Sequence, residues 1–375
     1  EVWYAMRATY RREPDAMRLF AKEHIDYFVP MQYKISIKNG KKVRVLVPVI
    51  YNLIFVHACP SEVKRVKSMV AYLQYITDTR SGQKIIIPDQ EMQRFIAVAG
   101  TPIPAMTGFD FAAVAELIEQ RTGIPAFGFS TTGMHSYVQG ASMAFEALVH
   151  RFADRDAGKT EAPSANILGL TPLDFSVNGT DAAIARFLEG QGYRVLSRWA
   201  MGSSPEEIAR AAGAHVNLVV SATGLDAAKV LEERFGTPYV VGVPYGEEWS
   251  KALMNGTKPE IEGGEIIVIG EGVTALSLAS AIEMTLDKGV RVLCVTECPG
   301  EVLRDKDLLC SSEEEIEAAL RTAKTVIADP MFAPIVPEGV RFIPLPGENC
   351  SGRIYRNQIP NLVTGFDEWL KEVAL

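Results

Sequence analysis

The chain has 375 residues, of which 47% are hydrophobic and 22% are charged. At roughly 150 residues per domain, this length predicts two or three globular domains, and the composition excludes a wholly disordered, collagen-like or disulfide-rich chain. There is no apolar run of about 18 residues and no signal-peptide pattern, so we expect neither a membrane span nor a leader. Five scattered cysteines favour free thiols in a reducing cytoplasm.

Charge is distributed unevenly along the chain. Residues 1–100 carry 16 Lys and Arg against 9 Asp and Glu, a net charge of +7, whereas the remaining residues carry 22 against 37, a net charge of −15. This asymmetry suggests two modules with different partners. A basic module can bind nucleic acid or an acidic protein surface, and ordinary solvated lysines are the alternative.

Residues 1–98 are predicted to form one small α+β domain with a mostly antiparallel sheet. Pro14 suits the first turn of a helix, where a missing N–H costs little. An Asn-Gly pair at 39–40, between two alternating runs, is typical of a hairpin turn. The predicted strands are Val2–Ala8, Tyr27–Met31, Lys34–Lys38, Lys42–Val47, Asn52–His57, Leu73–Thr77 and Lys84–Ile87, and the predicted helices are Glu13–His24, Pro60–Met69 and Pro88–Val98.

Four segments of this domain resemble the N-terminal domain of the NusG family, and within it the UpxY-like antiterminators of capsule-polysaccharide operons. They are WYAMRATYRRE, YFVPMQYK, VPVIYNLIFVHA and IIIPDQEMQRFIAV, in the family's order and spacing. The resemblance implies a domain without catalytic chemistry that docks on the clamp helices of the RNA polymerase β′ subunit and keeps elongation processive. Nothing after Gly100 resembles the small KOW barrel that usually follows, so functions of that barrel are not expected.

The resemblance implies that the docking surface is an apolar patch. The matching positions in this sequence are Tyr4, Ile50, Tyr51 and Leu53. Alternation places Tyr51 and Leu53 on one face of a strand, and an exposed aromatic suits an interface anchor. The alternative is that all four fill the domain core. Five basic residues offer weak or indirect contacts to DNA or polymerase, although ordinary solvent exposure is favoured for each of them. They are Arg7, Arg11, Arg12, Lys41 and Lys42.

Beyond residue 100, short apolar runs alternate with amphipathic helices, which is typical of parallel sheets in doubly wound α/β domains. Polar stretches at 154–165 and 255–264 divide this part into Rossmann-like blocks, predicted as 101–160, 164–258 and 263–375. The predicted strands are Ala126–Ser130, Asn166–Leu170, Arg194–Ser197, Val216–Ser221, Tyr239–Val241, Glu265–Ile269, Arg291–Val295, Thr325–Ala328 and Arg341–Ile343, and the predicted helices are Asp110–Arg121, Ser136–Phe152, Asp181–Glu189, Pro205–Ala211, Ala227–Phe235, Thr274–Asp287, Glu313–Thr322 and Asp367–Glu372.

Doubly wound domains bind ligands at the carboxyl ends of their strands. In this sequence those positions are short loops rich in glycine and hydroxyl side chains. The pocket candidates from these loops and from the segment ENCSGR are Gly133, His135, Ser136, Ser203, Ser204, Cys298, Ser351 and Arg353.

Several patterns in these loops carry weaker signals. The segment IVIGEGVTA has Gly-x-Gly between a strand and a helix but lacks a third glycine, so dinucleotide binding is not favoured. Cys294 and Cys298 are too few for the usual ligation of a metal cluster, which favours structural thiols. His135 suits a ligand or an acid–base group, with helix capping or plain exposure favoured. Cys350 suits a pocket wall, without an obvious activating base.

Five segments of this region resemble nitrogenase component 1-type oxidoreductases, over roughly residues 98–375. They are TGIPAFGFSTTGMHSYVQGASMAFEAL, ANILGLTPLDFSVNG, RWAMGSSPEEIARAAGAHVNLVVSATG, ECPGEVL and RFIPLPGENCSGR. The family includes nitrogenase subunits, dark-operative protochlorophyllide and chlorophyllide reductases, and cofactor-assembly scaffolds. The resemblance implies three Rossmann-like domains around an iron–sulfur or related metallocluster, in an assembly that receives electrons from an ATP-dependent iron protein.

The cluster ligands that the family implies are missing at the matching positions. Most of the first domain, whose cysteines bridge an iron–sulfur cluster between subunits, is replaced by the NusG-like segment. The opening of the second block, 166–178, has no cysteine, and the third block, from Glu265 onward, has no histidine. We therefore assign no metal ligand and no catalytic residue, and whether the chain is an enzyme stays open.

The two resemblances meet near Val98–Thr101 without a Gly/Ser-rich or Pro-rich linker. The join shortens both families' modules, whereas a selected fusion is expected to keep whole folding units. The simplest hypothesis is an artefactual chimera, and a natural fusion is the alternative.

Two functions follow from the resemblances. The first is a nitrogenase-like oxidoreductase or cofactor-binding region joined to an antitermination module. The second is a transcription elongation factor whose α/β region is a non-catalytic scaffold. The expected partners are RNA polymerase, a nitrogenase-like iron protein and a homologous or identical subunit, with oligomerisation favoured by apolar surface that the shortened domain exposes.

Overall fold

The structure is a computed structural model, and it describes residues 2–29, 31–38, 41–48, 51–77, 83–87, 96–100, 108, 110–257, 259 and 261–375. The chain divides into two units, Glu1–Arg94 and Phe95–Leu375. Among the helices in the described part of the chain, none has the length and apolar character needed to cross a bilayer. All five cysteines are free.

In the residues that the structure describes, the first unit contains antiparallel strands and two helices. Its elements are β1 (Val2–Ala8), α1 (Glu13–Lys22), β2 (Asp26–Phe28), β3 (Met31–Lys38), β4 (Lys41–Pro48), β5 (Leu53–Ala58), α2 (Pro60–Met69), β6 (Leu73–Tyr75) and β7 (Ile86–Ile87).

A five-stranded antiparallel sheet organises this unit, with β1 at its centre. The order is β2-β5-β1-β6, and β7 also pairs with β1. Met6, Phe20 and Ile54 are fully buried, so α1 packs its apolar face on the sheet. The predicted hairpin is confirmed by the antiparallel pairing of β3 with β4, while its turn residues Asn39 and Gly40 lie outside the described residues.

One predicted helix of the first hundred residues is wrong where it can be compared. Of Pro88–Val98, residues 88–95 lie outside the described residues, and the segment Ile96–Ala99 is a strand. This strand pairs in parallel with Ala126–Phe129 in the second unit. In Ile96–Ala99 the backbone hydrogen bonds of a sheet thus outweigh the helical spacing.

The second unit alternates strands and helices along its whole length. Its strands are β8 (Ile96–Ala99), β9 (Ala126–Phe129), β10 (Ser164–Leu168), β11 (Arg194–Arg198), β12 (Val216–Val219), β13 (Tyr239–Val241), β14 (Ile266–Gly270), β15 (Val290–Cys294), β16 (Leu308–Leu309), β17 (Thr325–Ala328) and β18 (Arg341–Pro344). Its helices are α3 (Phe111–Thr122), α4 (Tyr137–Phe152), α5 (Pro172–Phe175), α6 (Thr180–Gly190), α7 (Pro205–Ala209), α8 (Leu225–Phe235), α9 (Glu247–Met254), α10 (Gly272–Leu286), α11 (Glu313–Leu320), α12 (Glu348–Ser351) and α13 (Leu362–Glu372).

Two parallel sheets form the body of this unit, which confirms the doubly wound α/β prediction. Their strand orders are β11-β10-β12-β13 and β16-β15-β14-β17-β18. In each sheet, successive strands are added first on one side and then on the other. The change of side lies between β10 and β12 in the first sheet and between β14 and β17 in the second. Ligands bind beyond the carboxyl ends of strands at such switch points.

One apolar core joins both sheets. It contains Ile167 and Leu218 from the first sheet, Val268 from the second, and Leu278 and Ile282 from α10. Helix α10 is buried along most of its length, as its apolar sequence requires. The two sheets are thereby held as one body, and their carboxyl edges keep a fixed geometry.

Some boundaries differ from those expected. Strand β10 ends at Leu168 rather than at residue 170, because Gly169 adopts a φ of +88°, and a Cβ at this position would lie within 3.1 Å of the backbone of Ser221 and Gly224. The sequence analysis did not predict α5, α9, α12, β16 or the first turn of α13.

Candidate functional site

A cavity of about 100 Å³ lies at the carboxyl ends of the two parallel sheets. Its walls come from β14 and α10 and from the segments that follow β10, β13, β17 and β18. It therefore coincides with both switch points. The polar residues that line it are Asp174, Asn178, Thr180, Tyr245, Glu271, Thr274, Asp329, Asn349 and Cys350.

Asp174 follows β10 and is held by side chains from three other segments. Its Oδ2 accepts hydrogen bonds of 2.8 Å from the Thr171 and Ser221 hydroxyls. Its Oδ1 accepts a hydrogen bond from the Tyr137 hydroxyl, and Asn349 Nδ2 lies 3.5 Å away. Burial raises the pKa of Asp174, and the four donors only partly oppose that rise.

Glu271 caps the buried helix α10 directly after β14. Its Oε2 accepts the Thr274 N–H at 2.9 Å, and its Oε1 accepts the Ala222 N–H, from the other sheet, at 2.8 Å. The residue is 1% exposed. Burial, together with the charge of Asp174, raises the pKa of Glu271 to about 8. The cavity wall therefore contains two neighbouring acids that share a desolvated environment.

Asp329 occupies the equivalent position after β17. Its Oδ1 accepts the Met331 N–H at 2.9 Å, and its Oδ2 accepts the Gly347 N–H and the Ser351 hydroxyl, both at 2.8 Å. Ser351 was a sequence candidate, and the structure places it behind Asp329. It is thus a positioning residue for the cavity wall.

Tyr245 differs from the other buried polar residues in the cavity wall. It is 8% exposed, and none of the described residues forms a hydrogen bond with its hydroxyl. Burial, with smaller effects of Glu271 and Asp174, raises its pKa. The hydroxyl oxygen is not among the fully buried polar atoms, so it keeps access to the space of the cavity, where a ligand or water can complete its hydrogen bonds.

The loop before α4 holds three sequence candidates in a different arrangement. Ser136 caps α4, and its N–H donates to Glu297 Oε1 at 2.8 Å. His135 is exposed, with its Nδ1 3.7 Å from the same carboxylate, and Gly133 forms an exposed turn with a φ of +70°. These residues do not line the cavity; they tie the loop to the segment after β15.

The remaining candidates serve local structure. The Ser203 hydroxyl accepts the Arg198 N–H at 2.6 Å, and Ser204 caps α7 in a reciprocal bond pair with Glu207. Arg353 is exposed. Ser203, Ser204 and Arg353 do not line the cavity. Cys350, which the sequence suggested for the wall of a pocket, does line it.

Cys294 and Cys298 pack together at the end of β15. The Cys294 thiol donates to the Thr296 carbonyl at 3.3 Å and the Cys298 thiol to the Pro299 carbonyl at 3.7 Å. The interaction between the two thiols lowers the pKa of Cys294 and raises the pKa of Cys298. Both sulfurs lie against Gly272, the first residue of α10. The pair is thus part of the buried contact between β15 and α10.

The described residues do not fit an iron–sulfur cluster. Such clusters are held by several cysteine thiolates, whereas the cavity is lined by one, Cys350. Across the described ranges, no group of three or more His, Cys, Asp or Glu is arranged to hold a metal ion. We therefore derive no chemistry from a metallocluster.

The first unit carries an aromatic and basic surface between the ends of β1 and β5. Tyr51 is 43% exposed and Tyr10 is 90% exposed, and the Arg11 guanidinium lies 4.6 Å from the Tyr51 ring centre. The Arg11 N–H donates to Asn52 Oδ1 at 2.9 Å, which joins the two loops. We call Tyr10, Arg11 and Tyr51 the aromatic patch.

The four docking candidates are placed differently from the expectation. Tyr4 is 3% exposed in the core, where it cannot contact a partner, and Leu53 is half-buried. Tyr51 precedes β5 in a turn rather than sharing a strand face with Leu53. Ile50 lies outside the described residues.

Sequence reasoning named none of the acids of the cavity wall as a site residue, although Asp174 and Glu271 lie in the strand-end loops that it favoured for ligand binding. Glu271 and Asp329 each follow a buried parallel strand directly, and that position is a usable signal because strand ends converge on the ligand site. Tyr137 lies in a family-like segment, TGIPAFGFSTTGMHSYVQGASMAFEAL, in which it was not singled out, and Tyr245 lies outside the five family-like segments. Only the fold brings them near Asp174.

Comparison with known proteins confirms both resemblances. Residues 1–96 match the family model described as transcription termination factor nusG, and residues 86–256 match nitrogenase component 1 type oxidoreductase. The chain thus contains a NusG-like region followed by a nitrogenase component 1-like region.

Two curated relatives are each similar to part of this chain. One subunit of the light-independent protochlorophyllide reductase of Nostoc punctiforme is 38% identical over 24% of this chain and 18% of its own length. The nitrogenase iron-molybdenum cofactor biosynthesis protein NifE of Nostoc sp. is 26% identical over 54% of this chain and 43% of its own length. The chain therefore spans less than half the length of these relatives. A solved structure, Nitrogenase Cp1 at pH 6.5, aligns with 83% of this chain and 79% of its own at 14% identity, with a TM-score of 0.49.

Proposed function

We propose that residues 95–375 form a small-molecule-binding scaffold of the nitrogenase component 1 type, with the ligand in the cavity at the strand ends. The observation that supports this most directly is the unpartnered hydroxyl of the buried Tyr245 in the cavity wall. Asp174, Glu271 and Asp329 are each fixed by several donors, so the wall is organised before a ligand arrives. Preorganised polar groups in a concave site are the usual features of ligand pockets.

This scaffold would not perform redox chemistry alone. Electron transfer from an iron protein, or a cluster shared with a homologous or identical subunit, needs ligands that the described residues do not provide. We therefore propose the iron protein, the second subunit and a cytoplasmic location only for a larger assembly that includes this chain.

Blocking the cavity from its mouth tests the proposal. Cys350 is exposed and lines the cavity, so Cys350→Trp should fill it without disturbing the core. Ligand-observed NMR of the full chain with small polar fragments should detect binding that Cys350→Trp removes. The matched control is Met331→Trp, at an exposed position outside the cavity, which should leave binding intact. Equal binding by all three proteins would reject the cavity as the site.

We propose as a second function that residues 1–94 dock on the clamp helices of the RNA polymerase β′ subunit through the aromatic patch. The observation that favours it is the exposure of two tyrosines beside Arg11 on a region that matches the NusG family. Exposed tyrosine and arginine are the residue types that most often carry binding energy in interfaces.

Polymerase retention by the immobilised full chain tests this second function. Tyr51→Ala should weaken retention because it removes the ring on which Arg11 rests. Met69→Ala, at an exposed apolar position of α2, is the control and should retain polymerase normally. Unchanged retention by Tyr51→Ala would place any docking surface elsewhere.

A further inference from the structure

We propose that the cavity selects a small organic cation that carries a primary ammonium group. This inference rests on the proposed function, because it names the chemical class of the ligand in the same cavity. It follows from the charge of the wall, the free hydroxyl within it and the size of the space.

The wall is acidic and, in the part of the chain that the structure describes, has no basic partner. Three carboxylates line the cavity, and no Lys, Arg or His stands among the described residues that line it. The nearby Arg356 guanidinium is bound to Glu348 at 2.6 Å and 2.7 Å, outside the lining residues. Burial without an opposite charge raises the pKa of Asp174 and Glu271, so a cation in the cavity would favour the ionised form of these carboxyl groups, whereas an anion would oppose it.

Tyr245 supplies an observation that does not depend on the acids. The residue is 8% exposed, and its hydroxyl oxygen accepts no hydrogen bond from the described residues. An ammonium group has three N–H donors and no acceptor, so it can donate to Tyr245 while its charge lies near Asp174 and Glu271, both of which act on Tyr245.

The size of the cavity limits the ligand. An engineered cavity of about 150 Å³ holds benzene, so a space of about 100 Å³ suits an amine of three or four carbon atoms. Larger cations would have to extend through the mouth beside Cys350.

Three probes of nearly equal size and different charge test the inference. Propylammonium, propan-1-ol and propionate are titrated separately into the full chain at pH 7, with binding followed by saturation-transfer NMR. We expect propylammonium to bind at least tenfold more tightly than propan-1-ol, and propionate not to bind. Cys350→Trp should abolish the binding, and Tyr245→Phe should weaken it several-fold.

The outcomes separate the inference from the proposed function. If propan-1-ol or propionate binds as well as propylammonium and Cys350→Trp abolishes this binding, the selection for a cation is wrong and the ligand site stands. If none of the three probes binds the unsubstituted chain, the inference is wrong. If, in addition, Cys350→Trp does not change the binding of any fragment in the first experiment, the proposed function is wrong as well.

Discussion

Two tyrosines near Asp174, the half-buried Tyr137 and the buried Tyr245, have opposite hydrogen-bonding states. Tyr137 donates its hydroxyl to the buried carboxylate of Asp174, whereas Tyr245 has no partner among the described residues. Tyr137→Phe should therefore lower the free energy of unfolding by about 1–3 kcal/mol, because Asp174 loses a donor. Tyr245→Phe, the matched control, should change it by less than about 0.5 kcal/mol.

Urea unfolding of the three proteins measures this difference. Equal destabilisation by the two substitutions would mean that the Tyr245 hydroxyl has a partner, which would remove the main support for a ligand site.

Glu271 should make stability depend on pH. Its pKa of about 8 in the folded protein exceeds its ordinary value of 4.5, so the folded protein holds a proton that the unfolded chain releases. The free energy of unfolding should therefore fall as pH rises from about 4.5 to about 8, by up to about 1.4 kcal/mol per pH unit for this group. The ionisable groups around it are Asp174, Tyr137, Tyr245 and Cys298.

Denaturation at several pH values, for the unsubstituted chain and for Glu271→Gln, measures this contribution. The slope between pH 5 and pH 8 should be smaller in Glu271→Gln, since glutamine does not titrate. An unchanged slope would assign the dependence to other groups, with Asp174 as the first alternative.

Helix α10 begins where two thiols and an acid meet, so its first residue has little space. A Cβ at Gly272 would collide with the Cys298 sulfur and lie 3.4 Å from the Cys294 sulfur. Gly272→Ala should lower the free energy of unfolding by about 1–3 kcal/mol through overpacking. Gly190→Ala, at an exposed and open position of α6, should raise it by up to about 1 kcal/mol.

Thermal unfolding of both variants compares the two glycines directly. If Gly272→Ala is as stable as Gly190→Ala, the contact of α10 with the Cys294–Cys298 pair is looser than the distances indicate.

Elements with a regular pattern and clear end signals were predictable from the sequence. The helix Pro60–Met69 and the strands Tyr239–Val241 and Thr325–Ala328 have the predicted bounds. The helices α5 and α12 were not predicted, because four residues are too few to show a helical spacing of apolar side chains. The position of the cavity, at the strand ends, was predictable. Its lining side chains were not, because they come from segments that are distant in the sequence.

At the scale of the whole molecule, two unrelated family regions meet in one chain. The family matches overlap at residues 86–96, and the units divide between Arg94 and Phe95. The hypothesis of an artefactual chimera predicts that amplification of source DNA across the codons for Phe95 to Pro104 fails. A continuous product would contradict it and establish a natural fusion.

The iron content of the full chain, purified without oxygen, tests the central claim most directly. We interpret the cavity as a site for a small organic ligand. Its wall contains carboxyl groups and a tyrosine, whereas an iron–sulfur cluster would need several thiolates. We therefore predict no stoichiometric iron and no acid-labile sulfide. About four iron atoms per chain, with matching sulfide, would indicate a [4Fe–4S] cluster and contradict this claim.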